Sequence, residues 1–212
     1  GFRAPTFSLN NTSSWAIDVL EENNYIYDSS VVPAKTSMYG SPNAEHKPYK
    51  ITSKSIDQND SSGKLTEFPL LVTTFLGKKI PAGGGFYLRF LPDKTIKNAI
   101  HSFEKQNIPA TFYIHSWELT PEFMPKISLP LKENFITFHN IEKSYERLQN
   151  ILELFEFTSF EAEISSGRIT PLKRMYSLPL LSVSFFCPII SKFPFSKSLT
   201  TVTLILPVRE LL

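Results

Sequence analysis

Along residues 1–164, short apolar runs alternate with stretches in which apolar residues recur every three or four positions. That alternation constrains the fold more than any other feature, because it calls for strands that bury against helices. It predicts an α/β fold with a mainly parallel sheet. Tyr25–Asp28, Thr66–Thr73 and Ala110–His115 read as strands, with Pro69 marking the second as an edge or interrupted one. Ser13 or Ser14 is placed to cap a helix in which Trp15, Ala16, Val19 and Leu20 share a face. Pro92 opens another, with Ile96, Ala99, Ile100 and Phe103 as its apolar stripe. Asn140 is placed to cap a third, marked by Ile141, Tyr145, Leu148, Leu152 and Phe155. Residues 33–63 are rich in Pro, Ser, Asn, Lys and Gly without a clear period and read as a long irregular excursion.

After Ile164 the pattern stops. Residues 165–212 are dominated by Ser, Pro and Phe and carry a net +5, against −3 for residues 1–164. They read as a weakly folded tail, or as sequence foreign to the domain such as a shifted reading frame would produce. The division expected is therefore a domain over 1–160 and a tail over 161–212. A body of −3 has no broad cationic field, which argues against a nucleic-acid partner. The most apolar stretch, Ser177–Pro207, is cut by prolines and lysines, so no transmembrane segment is expected. The single cysteine, Cys187, excludes an intrachain disulfide and a multi-thiolate metal site. The chain starts at Gly1 with no basic and apolar leader, which is read as a fragment whose upstream part is absent.

Four stretches could carry chemistry. In Gly1-Phe2-Arg3-Ala4-Pro5-Thr6-Phe7 an arginine precedes a proline-stiffened bend, where its planar fork could hold a carboxylate; a surface arginine in a tight turn has the same pattern. Tyr25-Ile26-Tyr27-Asp28-Ser29-Ser30 ends a strand with an acid and two hydroxyls, either at a site or as a turn cap. Ala110–Glu118 delivers His115 at a strand end beside Trp117 and Glu118. A neighbouring carboxylate there could fix the imidazole tautomer, although a structural histidine fits as well. Pro81-Ala82-Gly83-Gly84-Gly85 matches neither nucleotide-loop pattern, and close backbone packing or a substrate-lining loop is expected. His46, His101 and His139 form no HxxxH or HExxH pair, so no metal ligand is assigned within the chain.

Taken in order, GFRAPTFS, WAIDVL, YIYDSSVVP, EFPL, PAGGGFYLRFLP and FYIHSWEL resemble polysaccharide deacetylases of the NodB-homology superfamily, in the branch associated with exosortase and exopolysaccharide loci. The resemblance covers about residues 1–160. It implies a partial NodB-like irregular (β/α) barrel followed by an irregular tail. The implied activity is metal-dependent hydrolysis of N-acetyl, or O-acetyl, groups on a sugar polymer, with an acetylated polysaccharide or oligosaccharide as partner. The implied cofactor is a divalent metal, commonly zinc, held by an Asp and two His from TFDDG-like and HxxxH-like motifs. Neither motif occurs here, so the ligands are expected in a full-length parent and this chain alone is expected to be inactive.

What the resemblance transfers falls on Arg3, Asp28 and His115 as catalytic residues. Arg3 and Pro5 match a motif whose arginine pairs with the catalytic base. His115 matches the histidine that protonates the leaving amine. Asp28 stands where an aspartate orients that histidine, although YDSS departs from the DxxDW form. Pro5, Phe7, Gly84, Tyr87 and Trp117 are the implied substrate-binding residues. Two alternatives remain at this level: an allantoinase-like small-amide hydrolase, and a carbohydrate-binding barrel without catalysis.

Overall fold

Pro92 has no amide to waste at a helix start, and Asp93 and Lys105 set opposite charges at the two ends of the helix that follows. That helix, Asp93–Lys105, buries Ile96, Ala99, Ile100 and Phe103, the stripe its spacing predicts. The computed structural model describes residues 1–124 and 127–166, and 201–205 as backbone. In chain order the elements are α1 (Trp15–Glu22), β1 (Tyr27–Asp28), β2 (Tyr49–Ile51), β3 (Leu65–Glu67), β4 (Val72–Phe75) and β5 (Lys78–Pro81). Then come α2 (Gly85–Phe90), α3 (Asp93–Lys105), β6 (Thr111–His115), α4 (Ser116–Leu119), α5 (Leu131–Phe138), α6 (Ser144–Leu154), α7 (Phe160–Ser165) and β7 (Thr201–Ile205).

The chain is mixed α/β, but its sheets are small and not mainly parallel. β3 lies between β1, which it meets in parallel, and β2, which it meets antiparallel. β4 and β5 form a hairpin whose turn residues Leu76 and Gly77 are both left-handed, the geometry that matches strand twist. β6 pairs antiparallel with β7, and a single parallel bridge joins Leu70 to Thr111. The expected strand Thr66–Thr73 splits around Pro69 into β3 and β4, because proline cannot donate to a ladder. Among the described residues no sheet closes into a barrel, and no helix is long and apolar enough to cross a membrane.

Several expectations need correction. α1 forms, but Ile17 and Leu20 are buried while Trp15 and Val19 face out, because the face that meets β3 is the one set by Ile17. The excursion over 33–63 contributes β2 and buries Ala34, Ala44, Ile51 and Ile56. Asn140 does not cap: it is left-handed (φ 51°), and its side-chain amide donates to the Arg89 carbonyl at 3.3 Å. A 3₁₀ turn over Ile141–Lys143 then offsets the period, so α6 buries Leu148 and Ile151 and leaves Tyr145 exposed. Most of the expected tail, with Cys187, lies outside the described residues, but 201–205 form a strand on β6.

Two apolar clusters result. The larger joins Leu71, Leu88, Ile100, Phe112, Ile114 and Ile151 across β6, α2, α3 and α6. The smaller joins Ile17, Leu20, Val31, Ile51 and Leu65 beneath α1. Each fully buried side chain of this size contributes about 1.5–3 kcal/mol. Together they fix where the ends of β1 and β6 lie.

Candidate functional site

Asp28 ends β1 and Glu67 ends β3, and the parallel register pairs them directly. Both are completely buried. The turn after β1 meets their needs in part. Ser30 Oγ donates to Asp28 Oδ1 at 2.7 Å, and the Val31 amide donates to Glu67 Oε1 at 2.9 Å. Asp28 Oδ2 has no hydrogen-bond donor among the described groups if both acids are ionised. Burial raises the pKa of Glu67 well above its ordinary value, and the adjacent Asp28 raises it further; burial also raises Asp28. A proton on Glu67 gives Oδ2 its missing partner. Burial and mutual repulsion therefore favour one proton shared by the two acids over two full charges.

Arg3 supplies the balancing cation. Its Nε donates to the Ser29 carbonyl at 2.7 Å and its Nη2 to Ser29 Oγ at 2.6 Å. The guanidinium sits over the rings of Phe7 (5.4 Å) and Tyr113 (5.1 Å). Phe7 reaches this position through two consecutive left-handed residues, Thr6 (φ 54°) and Phe7 itself (φ 53°). Neither is glycine, and such strain of about 1–3 kcal/mol per residue persists where surrounding contacts over-determine the backbone, a pattern concentrated at functional sites. Burial lowers the Arg3 pKa, partly offset by Tyr113, Glu67 and Asp28.

Tyr113 connects this corner to the end of β6. Its ring lies edge-on to Phe7 (5.2 Å) and to His115 (5.5 Å), and burial pushes its hydroxyl up to about 12. His115, half-buried, stacks on Trp117 at 5.8 Å with an interplanar angle of 14°. Burial lowers its pKa below the ordinary 6.5; Glu118 opposes that, while Arg3 and Arg89 add to it. The imidazole is therefore neutral at pH 7.

Arg3 thus acts electrostatically on both Asp28 and His115, which end separate strands. Of the residues singled out for substrate, Phe7 packs on Tyr113 and Tyr39, and Trp117 covers one face of His115. A Cβ on Gly84 would meet the Tyr113 ring at 2.8 Å, so its bareness lets α2 approach β6. Tyr87 is half-buried against the larger cluster. Pro5 stands exposed at the turn. Glu67 and Arg89 were not legible as site residues: the first is one acid in an apolar strand, the second one arginine in what reads as a glycine turn. Glu118 binds the backbone amide of His115 at 3.0 Å and Arg89 at 2.8 Å.

Among the described residues no three His, Cys, Asp or Glu side chains gather to hold a metal ion. Asp28 and Glu67 are bound to the Ser30 hydroxyl and the Val31 amide and are shut from solvent. The described residues do not fit a divalent metal.

Fold and site define an α/β domain with a buried acid pair, an arginine held over two touching rings and a strand-end histidine. The chain belongs to the family described as domain of unknown function DUF3473, whose model matches residues 29–164. Domains of this family sit in polysaccharide deacetylase-related proteins. The matched range contains Glu67, Arg89, His115 and Glu118 and begins one residue after Asp28. No curated protein and no solved structure matches the chain.

Proposed function

We propose that this chain is part of a metal-dependent polysaccharide deacetylase of the NodB-homology superfamily, hydrolysing N-acetyl or O-acetyl groups on an envelope or extracellular sugar polymer. The observation that carries the reading is Arg3, which lies between the Asp28–Glu67 pair and the Tyr113–His115 edge and couples two strand ends into one corner. Family membership supports it, as do the ordered segments from GFRAPTFS to FYIHSWEL. The metal, its ligands and the catalytic base belong to motifs not found in these residues.

The chain's own groups suit the leaving-group side of amide hydrolysis. An amine leaves poorly unless its nitrogen is protonated as the C–N bond breaks. His115 is placed as the acid: its ring, neutral at rest, must first take up a proton, which the imidazolium then donates to that nitrogen as the C–N bond breaks. Trp117 holds the imidazole plane, and Arg3 keeps positive charge beside the acyl-side oxygen.

The test is acetate release from acetylated chitin oligomers by the full-length protein. His115→Ala lowers turnover by about 10²–10⁴ while leaving bound metal unchanged. Loss of metal in proportion to activity would refute the assigned role. The 212 residues alone take up zinc weakly, as calorimetry will show; tight one-to-one binding would overturn the reading that the ligands lie elsewhere.

A further inference from the structure

Arg89 is a cation with a side chain 1% exposed in the last turn of α2, the short helix that opens at Gly85. Its guanidinium reaches two groups. Nη1 donates to the carbonyls of His139 (2.7 Å) and Thr137 (3.2 Å), and Nη2 to that of Ile136 (3.2 Å), all at the end of α5. Nη2 also donates to Glu118 Oε1 at 2.8 Å. The other Glu118 oxygen accepts from the His115 amide at 3.0 Å. Gly85 makes room for this carboxylate: a Cβ there would stand 2.0 Å from Oε2. The backbone carbonyl of Arg89 is itself held by Arg147 Nη1 at 2.9 Å. A single buried ion pair therefore clamps α2, α5 and α4 directly behind the last residue of β6.

Stability does not require such an arrangement. Desolvating an arginine and a glutamate costs several kcal/mol each, and well-packed apolar replacements are often as stable. What an ion pair adds over an apolar contact is direction. The fork accepts one orientation of the carboxylate, and the carboxylate accepts one position of the His115 amide.

We propose that Glu118, oriented by Arg89, is a positioning residue for His115: it fixes the strand-to-helix turn that presents the imidazole and supplies the negative charge that acts on the ring. This rests on the proposed function for what His115 does, but not for how it is held. Among the described residues, Glu118, Arg3 and Arg89 are charged groups that act on the imidazole, and Tyr113 and Trp117 are ring neighbours of it.

The experiment is an NMR titration of the His115 ring in the 212-residue chain, wild type against Glu118→Gln. Glutamine keeps an acceptor for the amide and removes the charge that opposes the downward shift. The His115 midpoint therefore falls further below that of wild type. A His115 midpoint that does not move would overturn the proposal. Should the variant not fold, the unaltered chain decides: the His115 amide and the Arg89 guanidinium protons exchange slowly, and fast exchange of both would overturn it. Acetate release enters neither reading, so a failure of the deacetylase assignment shows up separately.

Discussion

Asp28 and Glu67 stand opposite each other at the ends of two parallel strands, both completely shut from water, with one cation, Arg3, in reach of the two. Two full negative charges there would repel through a medium of low dielectric. One shared proton leaves a single charge for Arg3 to balance, and it also gives the otherwise orphaned Asp28 Oδ2 a donor.

Stability consequently depends on pH in a defined direction. Glu67 ionises near 4.5 when unfolded but well above that when folded, so the folded chain keeps a proton that the unfolded chain has lost. Stability from this group is complete below about 4.5 and declines as pH rises toward the folded value. His115 works in the opposite sense, its lowered pKa costing stability only below 6.5. As pH rises above 4.5, wild type should therefore lose stability relative to Glu67→Gln, in which that decline is removed. Infrared spectra should show a protonated-carboxyl band that persists above pH 4.5 in wild type and is lost in the same variant. An unchanged band and an unchanged slope would mean the pair is fully ionised.

Arg3→Ala should destabilise the fold by about 3 kcal/mol. It removes two charge-assisted hydrogen bonds to Ser29 and two ring contacts, with each such hydrogen bond contributing about 1.5–3 kcal/mol before compensation. Arg3→Lys should recover little, because an ammonium cannot hold the Ser29 carbonyl and hydroxyl together with both ring faces. Urea unfolding of the two variants decides the point; a lysine variant as stable as wild type would show that charge alone suffices.

The glycine run makes a graded prediction. Gly85→Ala drives a methyl into the Glu118 carboxylate, within 2.0 Å, and should cost about 3 kcal/mol, at the upper end for overpacking. Gly84→Ala meets a ring edge at 2.8 Å that can tilt away, and should cost about 1 kcal/mol. Thermal melts should rank them in that order. The reverse order would place the Glu118 carboxylate somewhere other than beneath α2.

Ile100→Ala tests the larger cluster. Its side chain is wholly buried on the α3 stripe, so truncation should cost about 2–5 kcal/mol. Tyr145→Ala, on the α6 face that periodicity places inside, should cost under about 0.5 kcal/mol because that ring is 63% exposed.

What the sequence by itself determined is local. The α3 stripe, the break at Pro69, the β6 strand ending at His115 and the close approach at Gly83–Gly85 all follow from spacing and backbone chemistry, which act within a few residues. The ordered motifs likewise led to Arg3, Asp28 and His115. The tertiary structure decided the rest, because each remaining feature joins residues far apart in the chain. Glu67 reads as one acid in an apolar run until register sets it against Asp28. Arg89 reads as the end of a glycine turn until α5 and Glu118 close on it. Ile17, and not Trp15, faces inward on α1 because β3 lies on that side. Charge balance among buried groups depends on which strands lie side by side, and pairing of strands is not written in the period of either one.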